Sequence, residues 1–297
     1  MNLPSTKQLR YLVALDEHRH FGRAAAACFV SQSAFSIAIQ ELESILDVRL
    51  VDRTNKQVTI TRIGQDVVVQ ARLCLRDIEA LVETARGGRA PLTGQLHLGV
   101  IPTIAPFLLP KVLPHIRKSY PKLKLFIKEE TTEKVYDAMM RGELDAILIA
   151  LPYDLRNVET DVLFKDHFVL AYREGTDLVD PGRYTPSRLN SDSVLLLEDG
   201  HCLRDHALTA CRIRSMNKVN RFSATSLNTL VQMVESDLGI TFLPEMALDS
   251  ALLKGTHINT QSLKEKSARD IALAWRKGSG RDEEFKLFAQ LLKKHGR

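Results

Sequence analysis

Along the first sixty positions, apolar residues return at helical intervals and then give way to alternation. Leu9, Leu12, Val13 and Leu15 mark an amphipathic helix over 7–17. A second, short helix over 21–28 is almost all alanine, and such small side chains let another helix come close. Ser31 stands where an N-cap belongs, ahead of a third helix over 33–46. Its buried stripe is predicted to be Phe35, Ile39, Leu42 and Leu46. The opposite face presents Gln32, Ser33, Ser36 and Gln40, short or amide side chains suited to base edges and phosphates. Residues 50–61 alternate about a polar Asn55-Lys56 turn, the pattern of a hairpin. Around it Arg49, Arg53, Lys56 and Arg62 face Asp52 alone, a local excess of positive charge that fits DNA phosphates. A plain three-helix domain with a solvated polar face is the alternative reading of the same pattern.

From Thr61 to about Arg86 the chain has no proline, and its one glycine, Gly64, lies near the start. Ile63, Val67, Cys74, Ile78, Leu81 and Ala85 keep three- and four-residue steps when Gln70 fills one position, which predicts a short coiled-coil seam. A helix of roughly 25 residues is about 37 Å long, more than a sixty-residue domain can cover. A second copy of the chain is the simplest cover, although the helix could lie on its own domain's core. Gly87-Gly88-Arg89-Ala90-Pro91 reads as a hinge.

Beyond the hinge, period-two and helical patterns alternate. Strands are expected at 95–101, 123–129 and 145–151, with helices at 104–119 and 133–141 between them. This βαβαβ run implies a parallel sheet covered by helices. A second run has strands at 168–172, 194–197 and 239–243 and a helix after Ser226. A late strand at 271–275 precedes a terminal helix at 283–294, which suggests that the chain returns to the first sheet.

Composition narrows the classes. The 297 residues suit two to three modules, and 44% hydrophobic with 26% charged residues is ordinary for a globular protein. No apolar run is long enough to span a bilayer, and the start lacks a basic region followed by an apolar one. A cytoplasmic protein without a membrane anchor is expected. Net charge is +5. The first 62 residues hold eight basic and six acidic side chains, whereas residues 264–297 hold ten and five, so the excess sits in the tail. Charge alone therefore does not indicate nucleic-acid binding. Four cysteines and nine scattered histidines give no disulfide framework and no metal-ligand spacing, and neither metal nor cofactor is expected.

The most informative segment runs Leu197-Glu198-Asp199-Gly200-His201-Cys202-Leu203-Arg204-Asp205, with Cys211 further on. A buried strand ends, a polar turn follows, and Cys202 opens a helix. A cysteine at a helix N-terminus flanked by His201 and Arg204 is placed for thiolate stabilisation. Nine positions of helix separate two Cα atoms by about 13 Å. A disulfide needs less than about 7 Å. Cys202 and Cys211 therefore cannot join while a regular helix lies between them. Both could equally be small core residues.

Phe21-Gly22-Arg23-Ala24-Ala25, Val30-Ser31-Gln32, Ser36, Ile39, Leu42-Glu43, Leu50, Arg53 and Thr61 to Gly64 together resemble the winged helix-turn-helix of LysR-type transcriptional regulators. Ser33 stands where that family usually has proline. The segment from Glu198 to Asp205 with Cys211 is similar to the redox segment of the family's hydrogen-peroxide-sensing activators. So are Ile101-Pro102-Thr103, Leu108-Leu109-Pro110, Phe222 to Leu227 and Gly239 to Pro244. The likeness covers essentially the whole chain; Arg212-Ile213-Arg214 departs from it.

The resemblance implies an α/β architecture. A winged helix-turn-helix DNA-binding domain (1–62) would lead through a linker helix and hinge (63–90) to a two-lobed, periplasmic-binding-protein-like regulatory domain (91–297). Lobe 1 would hold about 91–166 and 270–297, and lobe 2 about 167–269. It also implies roles: Cys202 as the peroxidatic thiol, Cys211 as its disulfide partner, and Thr103, Thr132, His201, Arg204 and Asp205 around the peroxide. DNA contacts would come from Ser31, Gln32, Ser33, Ser36, Gln40, Arg53, Lys56 and Arg62. The partners implied are promoter DNA, hydrogen peroxide, further copies of the chain as a dimer of dimers, RNA polymerase and a cellular thiol reductant. The expected function is a non-enzymatic regulator of oxidative-stress genes. A regulator answering to a small carboxylate in the crevice, with the cysteines incidental, is the alternative; a thiol peroxidase is a third reading that the helix-turn-helix opposes.

Overall fold

The computed structural model describes residues 3–54, 57–85, 91–263 and 267–296. The chain forms two units, one of Met1–Ala90 with Arg141–Glu143 and one of Pro91–Met140 with Leu144–Arg297.

The first unit opens with α1 (Thr6–His18), α2 (Phe21–Ala27) and α3 (Gln32–Leu46). Ser5 and Gln8 cap α1 reciprocally, satisfying two otherwise orphaned backbone groups. Tyr11, Leu12 and Leu15 meet Phe35, Ile39 and Leu42 in a closed core, where the Tyr11 and Phe35 rings stack at 4.8 Å. Leu46, expected in the buried stripe, is only partly covered. α3 starts one residue earlier than its pattern suggests because Ser31 is its cap, accepting from the Ala34 N–H at 3.2 Å. β1 (Val51–Thr54) and β2 (Gln57–Ile60) form the antiparallel wing, and Glu43 ties it to α3 by accepting the Leu50 and Val51 N–H groups. Its Asn55-Lys56 turn lies outside the described residues.

α4 (Arg62–Ala85) is capped by the Thr61 hydroxyl. A Cβ on Gly64 would stand 2.2 Å from the Leu50 carbonyl oxygen, so only glycine fits where α4 passes the wing. The helix has two apolar stripes. Val68 and Ala71 turn inward, beside an Arg72 that bridges Asp16 and Glu17 of α1. Ile63, Cys74, Ile78 and Leu81 of the seam are exposed and Val67 is partly covered, while the Ala85 side chain lies outside the described residues.

The second unit is built on β3 (Gly94–Val100), α5 (Ala105–Ser119), β4 (Leu123–Glu129), α6 (Thr132–Met140) and β5 (Ala146–Leu151), with β3 parallel to both β4 and β5. The next strand is longer than its pattern suggests. β6 (Val158–Arg173) has 16 residues, where only 168–172 is legible as strand. Glu159, Asp161, Lys165 and Asp166 break the apolar alternation of its first half.

After β6 come β7 (Val194–Leu197), α7 (Cys202–Ala210), β8 (Val219–Ala224), α8 (Leu227–Glu235), β9 (Thr241–Pro244), β10 (Ile258–Ser262), β11 (Ala268–Arg276) and α9 (Asp282–His295). β11 returns to the first sheet, between β5 and β6, but antiparallel to both. The sheet is therefore mixed, parallel at β4, β3 and β5 only. The second half of β6 pairs with β9 and with β10, a mostly polar strand that its sequence does not announce. β7 and β8 pair in parallel, and all four residues of β7 are buried, as an uninterrupted apolar run predicts. β6 thus runs through both lobes of a two-lobed α/β domain.

Three basic side chains of the tail pair internally. Arg269 pairs with Asp166, Arg281 with Asp145 and Glu284, and Lys293 with Asp161.

Candidate redox site

β7 delivers the chain to a turn in which Gly200 takes φ +97°, a conformation that L side chains rarely adopt. His201 then occupies the N-cap of α7 without a side-chain cap bond, and Cys202 is the first helical residue. Cys211 is the C-cap. The first sulfur belongs to a half-covered residue and the second to one only 3% exposed within the core; neither is in a disulfide. The regular helix between them sets their Cα atoms about 13 Å apart.

Cys202 lines a cavity of about 380 Å³ with Thr132, Tyr153, Asp205, His206 and Ala268 among its neighbours. Behind the cavity stands a side chain absent from the sequence-based site, Arg269, whose guanidinium is fully buried. Its Nε donates to Asp166 Oδ2 at 3.0 Å, Nη1 to Thr103 Oγ1 at 2.9 Å, and Nη2 to the Thr103 carbonyl at 2.9 Å. Asp166 Oδ1 accepts the Met246 N–H at 3.0 Å, so the pair is hydrogen-bonded on both sides.

Burial pushes the Cys202 thiol above the ordinary cysteine value. The positive charge of Arg269 opposes this most, Thr132 helps, and Asp205 works against ionisation. Thr132 Oγ1 itself is buried with no well-formed hydrogen bond, so its contact with the sulfur is loose. This corrects the expectation that His201 and Arg204 hold a thiolate. Arg204 turns back to the Leu197 carbonyl (3.2 Å) and to Asp199 (3.0 Å), bracing the turn instead. His201 faces a separate crevice of about 760 Å³, whose lining includes Thr103, Ser226, Thr229, Gln232 and Lys254. Thr103 and Thr132, expected to share one pocket, line different cavities; Arg269 bonds Thr103 and acts electrostatically on Cys202 beside Thr132. Asp205 lines the thiol cavity. A charged residue at an inward strand position, as Arg269 is in β11, was the signal available for it.

In the helix-turn-helix, Ser31, Gln32, Ser33, Gln40 and Arg62 are exposed and Ser36 is half-covered. The Ser33 hydroxyl lies 3.1 Å from that of Ser31, which links it to the cap. The Arg53 side chain and all of Lys56 lie outside the described residues. Among the described residues no helix is long and apolar enough to cross a membrane, and no group of three His, Cys, Asp or Glu side chains could hold a metal ion.

Comparison with known proteins places these features. Residues 6–65 match the bacterial regulatory helix-turn-helix protein, lysR family, and residues 89–297 match the LysR substrate binding domain. The HTH-type transcriptional regulator EstR of Acinetobacter baylyi is 40% identical over 98% of this chain and 97% of its own. The DNA-binding transcriptional dual regulator OxyR of Escherichia coli is 36% identical over 97% and 94%. Among solved structures, a full-length cysteine-to-aspartate OxyR from Pseudomonas aeruginosa matches with TM-score 0.83 at 33% identity, covering 99% of this chain and 96% of that one. A hydrogen-peroxide-bound cysteine-to-serine OxyR of Corynebacterium glutamicum matches with TM-score 0.66 at 30% identity, covering 99% and 93%.

Proposed function

The chain belongs to the LysR family of transcriptional regulators, and on that premise we propose that it senses hydrogen peroxide through Cys202 and answers at promoter DNA. The observation that carries this reading is a thiol opening onto a cavity under the charge of a buried guanidinium. Ionised sulfur attacks one peroxide oxygen; the S–O bond forms as O–O breaks, and the departing hydroxide takes a proton to become water. The Cys211 sulfur then displaces water from the sulfenic acid, giving the Cys202–Cys211 disulfide and requiring α7 to unwind. In this scheme Arg269 favours the thiolate, Thr132 offers a hydroxyl and Asp205 lines the approach, while Thr103 anchors Arg269, His201 faces the neighbouring crevice and Arg204 holds the turn.

The same reading gives residues 1–62 the DNA contacts and 63–90 the link to the sensor of 91–297, whose lobes are about 91–166 with 270–297 and 167–269. Ser31, Gln32, Ser33, Ser36, Gln40, Arg53, Lys56 and Arg62 would meet the DNA. The exposed seam of α4 would pair two copies, with two such pairs on tandem sites. RNA polymerase and a cellular thiol reductant complete the cycle, all in the cytoplasm. Brief peroxide treatment followed by mass spectrometry tests it: one Cys202–Cys211 bond per subunit and an altered DNA footprint are expected. Both thiols recovered intact at doses that oxidise nothing else would overturn it.

A second reading has one specific support. The crevice with Ser226, Thr229 and Lys254 on its wall suits a small carboxylate, and EstR is among the relatives. It requires a ligand that raises Tm equally in the native chain and in Cys202→Ser.

A further inference from the structure

One turn after Cys202, His206 is only 7% exposed. Its Nε2 lies 2.9 Å from the carbonyl oxygen of Pro152, immediately after β5. A carbonyl can only accept, so Nε2 carries the proton and, in the neutral ring, Nδ1 is a bare acceptor. That Nδ1 is buried with no hydrogen-bond partner. The bond thus fastens the middle of α7 to the end of β5. A second tie holds the last turn, where the Ser267 hydroxyl donates to the Ala210 carbonyl at 2.5 Å. Both ties lie within the stretch that must come loose before the two sulfurs can meet.

We propose that His206 is a positioning residue for the second oxidation step: its Nε2–H bond to Pro152 holds α7 wound and docked, and release of that bond sets how fast a Cys202 sulfenic acid closes onto Cys211. The proposal rests on the peroxide reading. The step converts sulfenic acid and thiol into disulfide and water, with peroxide of the preceding step as the oxidant.

The surroundings make this latch sensitive to protons. Facing His206 are Arg269 of β11 with its partner Asp166 of β6, Asp205 and Cys202 of α7, Tyr153 beyond β5 and Glu133 of α6. Burial holds the docked imidazole below the ordinary histidine value; the bond to Pro152 opposes this, and the Arg269 charge adds to it. A released ring regains its usual affinity. As pH falls through about 6.5, the released state binds a proton that the docked state resists, and the latch weakens.

The experiment uses the full-length protein, a brief hydrogen peroxide pulse, and timed quenching that counts sulfenic acid and disulfide by mass spectrometry. His206→Leu removes the donor, whereas His206→Gln keeps an amide donor that does not titrate. Closure in His206→Leu is expected to be about five-fold faster than in the native chain, the shift that one ordinary hydrogen bond accounts for. The ratio of native to His206→Gln closure rates is expected to rise about three-fold or more from pH 7.5 to 5.5, since Cys211 ionisation cancels in that ratio. Sulfenic acid that closes no faster in His206→Leu, or a ratio flat with pH, would overturn the latch while leaving the peroxide reading intact. Should His206→Leu not fold, the His206→Gln ratio decides alone. Absence of sulfenic acid in every variant would overturn both readings.

Discussion

At one end of α7, Cys202 faces a cavity within reach of a guanidinium, a hydroxyl and a carboxylate; at the other, Cys211 is shut inside an apolar core that also holds Leu203, Ala207 and Ile213. The same side chain is thereby given two tasks by its surroundings. On the proposed reading, access and the nearby positive charge mark Cys202 for reaction although burial raises its thiol, and enclosure keeps Cys211 inert until the helix opens. On that reading the order of events is built into burial rather than into the sulfurs themselves.

The sharpest way to break this comparison is to remove each sulfur in turn. Cys202→Ser should abolish the peroxide-induced footprint change while DNA binding persists. Cys211→Ser should still form sulfenic acid at Cys202 but no disulfide; a trapping reagent with mass spectrometry reads both. If Cys211 in Cys202→Ser oxidises as fast as Cys202 does in Cys211→Ser, the contrast is wrong. Next in size is the charge behind the cavity. Arg269→Met leaves Asp166 buried and unpaired and should cost about 3–5 kcal/mol in urea denaturation. Arg269→Lys, which keeps the charge but loses the planar fork to Thr103, should fold and react more slowly with peroxide, as stopped-flow rates would record.

Smaller effects compare the two settings without chemistry. A hydroxyl in place of the enclosed sulfur should lower stability by about 1–3 kcal/mol in Cys211→Ser, and clearly less in Cys202→Ser, by the same denaturation assay. The least effect concerns pH. The Cys202 thiol titrates above its unfolded value, so the folded state keeps a proton that the unfolded chain gives up. Stability should therefore fall slightly faster above pH 9 in the native chain than in Cys202→Ala, seen as diverging Tm values.

How much of this was legible depended on whether neighbours in space are neighbours in sequence. The helix-turn-helix, the wing and the turn before α7 are local, and their spacing and caps announce them. Arg269 lies 67 positions beyond Cys202 and reads as one charge in an ordinary strand; only the pairing of β11 with β6 puts it opposite Asp166. The first half of β6 escaped notice because its charged side chains mask the alternation, although Asp166 among them is the buried partner. Arg204 shows the converse: closeness in sequence suggested a role at the thiol, whereas its bonds turn it to Leu197 and Asp199.

The helix separating the two sulfurs has one more consequence. A bond closed across that span is a record written in the backbone, because clearing the peroxide does nothing to erase it; only cleavage of the sulfur–sulfur bond lets nine residues rewind. The molecule would therefore remember that an exposure happened after the concentration that caused it has gone.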